Sequence, residues 1–429
     1  MFFKFFSILI FVSGILFSQN AEALLNEGNK QLENGDLANA EESFNKALKL
    51  DPSFAPALKG LSKLYLHKGD LIKANNYSNE AVQKDEGFRD WSNQIVKIKD
   101  LMSKVKGSST PEESIKGYKI IIDSYPYYSG AHFYLGYSYY KAKDIESASS
   151  SFLKALEIFP EHKNAKTMLG NITKKLVNDG NKAYKRGDMA AAMSYYQKAL
   201  DYDPSFYMAY FQLGVLQKRQ GQSNKAIESL LKVLELKPDH DKTWFTLGAV
   251  YETDGNNDEA IIHYNKAIEI NPANEKAYGN LGKLYTDAGQ YDKAEDILKT
   301  IVQINPEYAN GFMRLGILYL EQEKFSEAIE SLHNSTKLDK KDFNKFFNLA
   351  SAYNNIEQWD KAAVAAQSCI DIKKRFGGGW YELGRSYMGK NNKTRAKKHF
   401  IQAKEQDREW RKMAERKIDE INNPSKYEK

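Results

Sequence analysis

Residues 207–240 read YMAYFQLGVLQKRQGQSNKAIESLLKVLELKPDH, residues 241–274 read DKTWFTLGAVYETDGNNDEAIIHYNKAIEINPAN, and residues 275–308 read EKAYGNLGKLYTDAGQYDKAEDILKTIVQINPEY. Each segment is 34 residues long, and the three align without a gap. Numbered from 1 to 34, positions 4, 7, 8 and 11 read large, Leu, Gly, Tyr, as in Trp244, Leu247, Gly248 and Tyr251. That spacing lies on one face of a helix. Positions 20, 24 and 27 read Ala, large, small, as in Ala260, Tyr264 and Ala267, which marks the inner face of a second helix. A unit of two short helices cannot bury both faces alone, so copies must stack on one another.

Outward from this core the same register runs through most of the chain. Position 15 is glycine at 35, 69, 187, 221, 255 and 289, where a left-handed backbone ends the first helix cheaply. Position 32 is proline at 52, 126, 160, 204, 238, 272 and 306, which closes the second helix for lack of an amide donor. Units begin at 21, 55, 89, 129, 163, 207, 241, 275, 309, 343 and 377. Position 20 is alanine in Ala40, Ala74, Ala148, Ala192, Ala226, Ala260, Ala294, Ala328, Ala362 and Ala396, and only Ser114 breaks the series.

This unit resembles the tetratricopeptide repeat, whose two helices cross at that alanine. The resemblance implies an all-α, right-handed superhelical solenoid of about eleven helix-turn-helix units. The expected organisation is a signal peptide at 1–18, an N-terminal lobe of about four repeats at 19–162, a superhelix of about seven repeats at 163–406, and a capping helix and tail at 407–429. The third unit carries six extra residues around Lys106–Pro111 and reads as a bend. The fifth carries ten, so Lys163–Arg186 reads as one long helix. In the last three units position 32 becomes Lys340, Lys374 and Arg408, and Asp407–Asn422 is expected to cap the stack.

Met1–Ser18 differs in kind. Lys4 is its only charge, and Phe5–Phe17 is apolar apart from Ser7, Ser13 and Gly14. The run is shorter than the roughly 20 residues of a membrane span and has the proportions of a secretory signal. Cleavage after Ser18 is expected, with Ala21-Glu22-Ala23 as a second place and an uncleaved N-terminal anchor as the alternative. No cysteine follows to carry a lipid. The chain is therefore expected to be exported to the periplasm or cell surface, or else anchored N-terminally in the inner membrane.

The composition excludes several classes of function. Cys369 is the only cysteine, so there is no intramolecular disulfide and no thiolate metal site. The seven histidines fall in different units and form no metal-spaced pair. Gly377-Gly378-Gly379 is followed by no Gly-Lys-Ser/Thr and reads as a turn. No enzyme and no cofactor are expected. A net charge of +6 does not suggest a nucleic-acid partner. From Lys373 to Lys429, however, 17 Lys+Arg stand against 8 Asp+Glu, which leaves −3 on the residues before them.

Trp244, Trp380 and the tyrosines 251, 285, 319, 353 and 387 form an aromatic stripe that belongs to the helix–helix seam. In the tetratricopeptide family, positions 2, 5, 6, 9, 12 and 13 line a concave groove instead. Position 5 supplies Phe211, Phe245, Met313, Phe347 and Tyr381, and position 6 supplies Gln212, Thr246, Asn280, Arg314, Asn348 and Glu382. Apolar residues beside a polar ladder suit an extended peptide. Some members clamp a C-terminal carboxylate with a Lys/Asn/Asn/Lys/Arg set. Asn280 and Arg314 match that set, whereas Phe245, Ala249 and Asn310 do not. The expected function is a scaffold in the cell envelope that binds a protein or peptide partner in this groove. The alternative is an adaptor docking on a membrane or acidic polymer through the basic C-terminal end.

Overall fold

The computed structural model describes residues 19–427, so the expected signal at Met1–Ser18 lies outside the described residues. Within them every regular element is a helix. The helices come in pairs: α1 (19–33) with α2 (Leu37–Leu50), α3 (Ala55–His67) with α4 (Leu71–Lys84), and α5 (Arg89–Lys106) with α6 (Pro111–Ser124). Next come α7 (Ser129–Lys141) and α8 (Ile145–Ile158), then α9 (Lys163–Lys185) and α10 (Met189–Tyr202). The register then continues through α11 (Tyr207–Arg219) and α12 (Ser223–Leu236), and α13 (Asp241–Thr253) and α14 (Asn257–Ile270). Pairs α15 (Glu275–Asp287) and α16 (Tyr291–Ile304), α17 (Ala309–Glu321) and α18 (Phe325–Leu338) follow. The last are α19 (Phe343–Asn355) with α20 (Trp359–Ile372) and α21 (Gly377–Gly389) with α22 (Lys393–Gln406). A single helix, α23 (Arg411–Asn422), ends the series. It starts four residues later than the sequence suggests, because the Asp407 carboxylate accepts the Glu409 amide in a turn of its own.

Three positions set the ends of the helices. At position 16 an aspartate or asparagine caps the second helix: Asp36, Asp70, Asp144, Asp188, Asn256 and Asn392 each accept the amide three residues on. At position 31 an Asp or Asn accepts the amide two residues later, as Asp51, Asp203, Asn271 and Asn305 do beside their prolines. Asp339 and Asp407 make the same bond, which explains how those turns persist after the proline is lost. Position 15 is left-handed with or without glycine. Besides the six glycines, Lys143, Glu323, Glu357 and Asn391 take φ values of 65, 58, 62 and 57°.

The crossing at position 20 is closed, and all ten alanines are fully buried. Opposite it, position 8 and position 24 share one space. A Cβ on Gly248 would lie 2.7 Å from the Tyr264 ring, so glycine there is what admits the tyrosine. The repeat at 343 makes the opposite trade, with Ala350 facing Ala366, both fully buried. Successive repeats are also fastened by a polar bond from position 4 to the turn behind it. Trp244 Nε1 donates to the Pro238 carbonyl at 2.8 Å, and Trp380 Nε1 to the Lys374 carbonyl at 2.7 Å.

The chain divides into two compact units, Met1–Gln212 and Leu213–Lys429, with the boundary inside α11. In the first, the third pair departs from the pattern: α5 has 18 residues, and the turn after α6 reaches back to the end of α3. There His67 stacks on Tyr127 with ring centres 5.2 Å apart. In the second unit the seam forms clusters around Tyr264, Leu298, Leu332 and Phe400.

Left-handed backbone costs a residue with a Cβ roughly 1–2 kcal/mol. Glu323→Gly and Glu357→Gly should therefore each stabilise the second unit by about 1 kcal/mol, less the entropy glycine adds to the unfolded chain. Denaturant melts compared with wild type check this, and an unchanged or lowered midpoint contradicts it.

Candidate functional site

The expected ligand face falls in both units. Phe211 and Gln212 are half-buried on α11 at the end of the first. Phe245 to Tyr381 lie in the second.

Along position 5 of the second unit, Phe245, Met313 and Phe347 are half-buried, and Gly279 and Tyr381 are buried. Phe245 is half-buried, its ring 5.6 Å from Tyr264. Position 5 of the next repeat is Gly279, where a Cβ would meet the Tyr308 hydroxyl at 3.1 Å, so Tyr308 covers that place. Met313 is half-buried against the cluster around Leu315. Phe347 meets Phe376 at 5.3 Å and Trp410 at 5.5 Å. Tyr381 is only 8% exposed, held between Phe400 and Trp410. The segment before α23 thus lays an indole on the last two members of the track.

Position 6 divides by hydrogen bonding. Thr246 is buried and donates to the Lys242 carbonyl of its own helix at 2.7 Å. Asn348 donates to the Asn344 carbonyl at 2.9 Å. Asn280 donates to the Tyr264 hydroxyl at 3.0 Å, and that hydroxyl donates to Glu252 at 2.7 Å. Lys283 completes the group with an ion pair to the other Glu252 oxygen at 2.9 Å. Burial pushes the Glu252 carboxyl up, but the bonds from Tyr264 and Lys283 outweigh it and hold the group below the usual carboxylate range, helped by the charge of Arg314. Arg314 itself is half-buried and makes no hydrogen bond or ion pair among the described residues. Lys283 also reaches Asp287 at 3.6 Å, so the two carboxylates Glu252 and Asp287 stand against the two cations Lys283 and Arg314.

Glu252 and Lys283 are the functional candidates that reasoning from positions 5 and 6 misses. They occupy positions 12 and 9 of successive repeats, positions the sequence assigns to the same side of the first helix as positions 5 and 6. At position 6 of the last repeat sits Glu382, 3% exposed. It accepts from Asn354 at 2.8 Å and pairs with Arg385 at 3.1 Å. Burial raises its pKa despite Arg385 and the bond from Asn354. The histidines stay apart, and among the described residues no group of His, Cys, Asp and Glu is arranged to hold a metal ion.

Comparison with known proteins gives matches along most of the described chain. Tetratricopeptide-repeat models match residues 21–54 and 129–162, and a further such repeat model matches 180–221. The model of the C-terminal domain of cilia and flagella-associated protein 70 matches residues 207–418. A tetratricopeptide-repeat-containing protein of Methanocaldococcus jannaschii is 27% identical over 130 residues, 30% of this chain and 23% of that one. The probable UDP-N-acetylglucosamine–peptide N-acetylglucosaminyltransferase SPINDLY of Hordeum vulgare is 25% identical over 228 residues, 46% of this chain and 24% of that one. The chain thus spans about a quarter of the length of these curated relatives. Among solved structures, a tetratricopeptide repeat protein from Parabacteroides merdae is 18% identical with a TM-score of 0.45, covering 59% of this chain and all of that one. Yeast Tom70 is 15% identical with a TM-score of 0.42, covering 95% and 96%.

Half-buried Glu252 and buried Glu382 should give opposite pH signatures. The Glu252 pKa is lowered on folding, so its contribution is present above the ordinary carboxylate pKa and lost as pH falls through the folded value. The Glu382 pKa is raised, so its charged form opposes folding increasingly as pH rises from the unfolded toward the folded pKa. Glu252→Gln should cost about 1–2 kcal/mol at neutral pH and progressively less in acid. Glu382→Gln should gain on wild type as pH rises. Melting temperatures of both variants across the acid range check the signs, and parallel curves for the two would contradict the assignment.

Proposed function

The chain belongs to the tetratricopeptide-repeat family, and from that premise we propose that it is a non-enzymatic scaffold in the cell envelope that binds a peptide or protein segment in its groove. The observation that carries the reading is Arg314, a half-buried guanidinium whose charge acts on Glu252 but which makes no hydrogen bond or ion pair among the described residues. Beside it stand Lys283 and Asn280, and the half-buried Phe245, Met313 and Phe347 supply apolar contact along the same register. An arginine recognises a carboxylate in the fixed geometry of its fork, so an acidic side chain or a C-terminus is the expected anchor. Export rests on the sequence of Met1–Ser18. The transferase named among the relatives is matched over 24% of its length, and this proposal takes from the family only binding.

A second reading has its own observation at the C-terminal end. On α23 the acids Glu415, Asp419 and Glu420 are all paired, with Lys404, Lys426 and Lys417. Lys398, Arg411 and Lys412 are exposed and form no ion pair among the described residues. That surplus suits an anionic membrane or polymer, with binding that weakens as salt rises. Among the described residues no helix is long and apolar enough to cross a membrane.

Affinity capture of the exported protein, followed by mass spectrometry, identifies the partner on which the groove is tested. Arg314→Ala should then weaken binding about thirtyfold, equivalent to about 2 kcal/mol for an interface hot spot, with the melting temperature nearly intact. Phe245→Ala should weaken it too, but that variant also loses the contact with Tyr264 and is the less clean reporter. If Arg314→Ala binds as wild type, the groove is not the site. Loss of binding on reversing Lys398, Arg411 and Lys412 would then move it to the basic end.

A further inference from the structure

In two repeats the rings at positions 4 and 11 have a third ring at position 23 of the second helix, and in the repeat at 55, where position 4 is Leu58, position 23 meets the ring of position 11 alone. His263 lies 5.6 Å from Trp244 and 5.0 Å from Tyr251. His399 lies 5.7 Å from Trp380 and 5.2 Å from Tyr387, nearly parallel to both. Tyr77 stacks on Tyr65 at 5.4 Å. A cation from position 19 completes two of these groups: Lys73 over Tyr65 and Arg395 over Tyr387.

The repeat at 343 has the same frame with its centre missing. Position 4 is Phe346, position 11 is Tyr353, and Lys361 from position 19 lies over the Tyr353 ring. Position 23 is Ala365, on an α20 that also carries Ala362, Ala363 and Ala366. A cleft of about 400 Å³ results, lined by Phe346, Leu349, Tyr353, Val364, Ala365 and Ser368, among others. Val364 at its edge is 69% exposed, unusual for a valine in the middle of a seam helix. The cleft is several times the size of one side-chain ring and opens to solvent between α18 and α20, over α19.

We infer that this cleft is a second binding site, which takes an aromatic side chain presented by a partner protein in place of the ring the repeat lacks. The chain itself shows what such a frame accepts, since imidazole fills it twice, and a phenol stacks on the position 11 ring of the repeat at 55, where Leu58 stands at position 4. Stacked and edge-on rings gain beyond the area they bury, which favours an aromatic over an aliphatic occupant. Lys361 adds a cation at the edge of the aromatic frame, and His333, Asp360 and Ser368 supply a polar rim for the backbone that carries the ring. The site is built of residues 333–368 alone and does not depend on the groove reading.

The test uses the full chain with labelled Val and Ala methyls, titrated with N-acetyl-tyrosinamide and, as the aliphatic control, N-acetyl-leucinamide. The expected result is a saturable shift of the Val364 and Ala365 methyls with the tyrosine probe, and binding at least about threefold weaker with the leucine probe. Ala365→Tyr supplies the ring in cis. It should abolish the response at Val364 while holding or raising the melting temperature, because it fills space rather than creating it. Should that variant fold poorly, Val364→Arg alters only an exposed side chain and closes the mouth, and the Ala365 methyl then reports a loss of about tenfold or more. No saturable shift in wild type overturns the inference, as do equal binding of both probes and an undiminished response in the blocking variant. Concentration-dependent dimers in sedimentation that Ala365→Tyr removes would place a second copy in the cleft, and overturn it likewise.

Discussion

The fold rests on a helix crossing that has room for one methyl group. Ten fully buried alanines at the same place in successive repeats let each pair of helices approach closely enough for the rest of the seam to mesh. Closely packed interiors transmit even one extra methylene to their neighbours. The remaining choices follow from that distance: Gly248 gives way to Tyr264, and in the repeat at 343 both partners shrink to Ala350 and Ala366. The second trade has a cost elsewhere. An α20 made of small residues packs closely inside but leaves its flank unfilled, and the cleft beside Phe346 and Tyr353 is that shortfall.

Most of this architecture was legible in the sequence because a 34-residue period repeats each physical requirement many times. The alanine series, the left-handed position 15 and the long α9 all followed from register alone. The polar devices at positions 16 and 31 were less visible, since aspartate and asparagine are common in any turn and announce no partner. They matter most where the period weakens: Asp339 and Asp407 hold turns that proline has left. The third pair was harder. Its α5 runs to 18 residues, and the contact of His67 with Tyr127 joins elements whose sequences show no shared spacing.

The sequence assigned positions 5 and 6 to one side of each first helix but said nothing of their partners. Burial along that side differs strongly, from half-buried Phe245 to buried Tyr381 beneath Trp410. A single-repeat pattern has no means of showing that Trp410 would fold over its neighbour. Nor does it show that Glu252 of one repeat would meet Lys283 of the next, since each looks like an ordinary surface charge. Such bonds between repeats convert an array of equal units into particular sites. They leave Arg314 without a hydrogen bond or ion pair among the described residues while Asn280 and Lys283 are engaged.

If the crossing is the constraint on which the structure depends, damage there should travel only as far as nearest neighbours. Ala260→Leu places three extra carbons in the closed crossing of α13 and α14 and should cost roughly 1–3 kcal/mol. Hydrogen exchange along the whole chain is the most direct measurement. The prediction is faster exchange in α13 and α14 and in the adjacent α11, α12, α15 and α16, with protection in α3 to α8 unchanged. A uniform rise in exchange from end to end would contradict it, and would mean that the chain holds together as one cooperative core rather than as a stack of crossings.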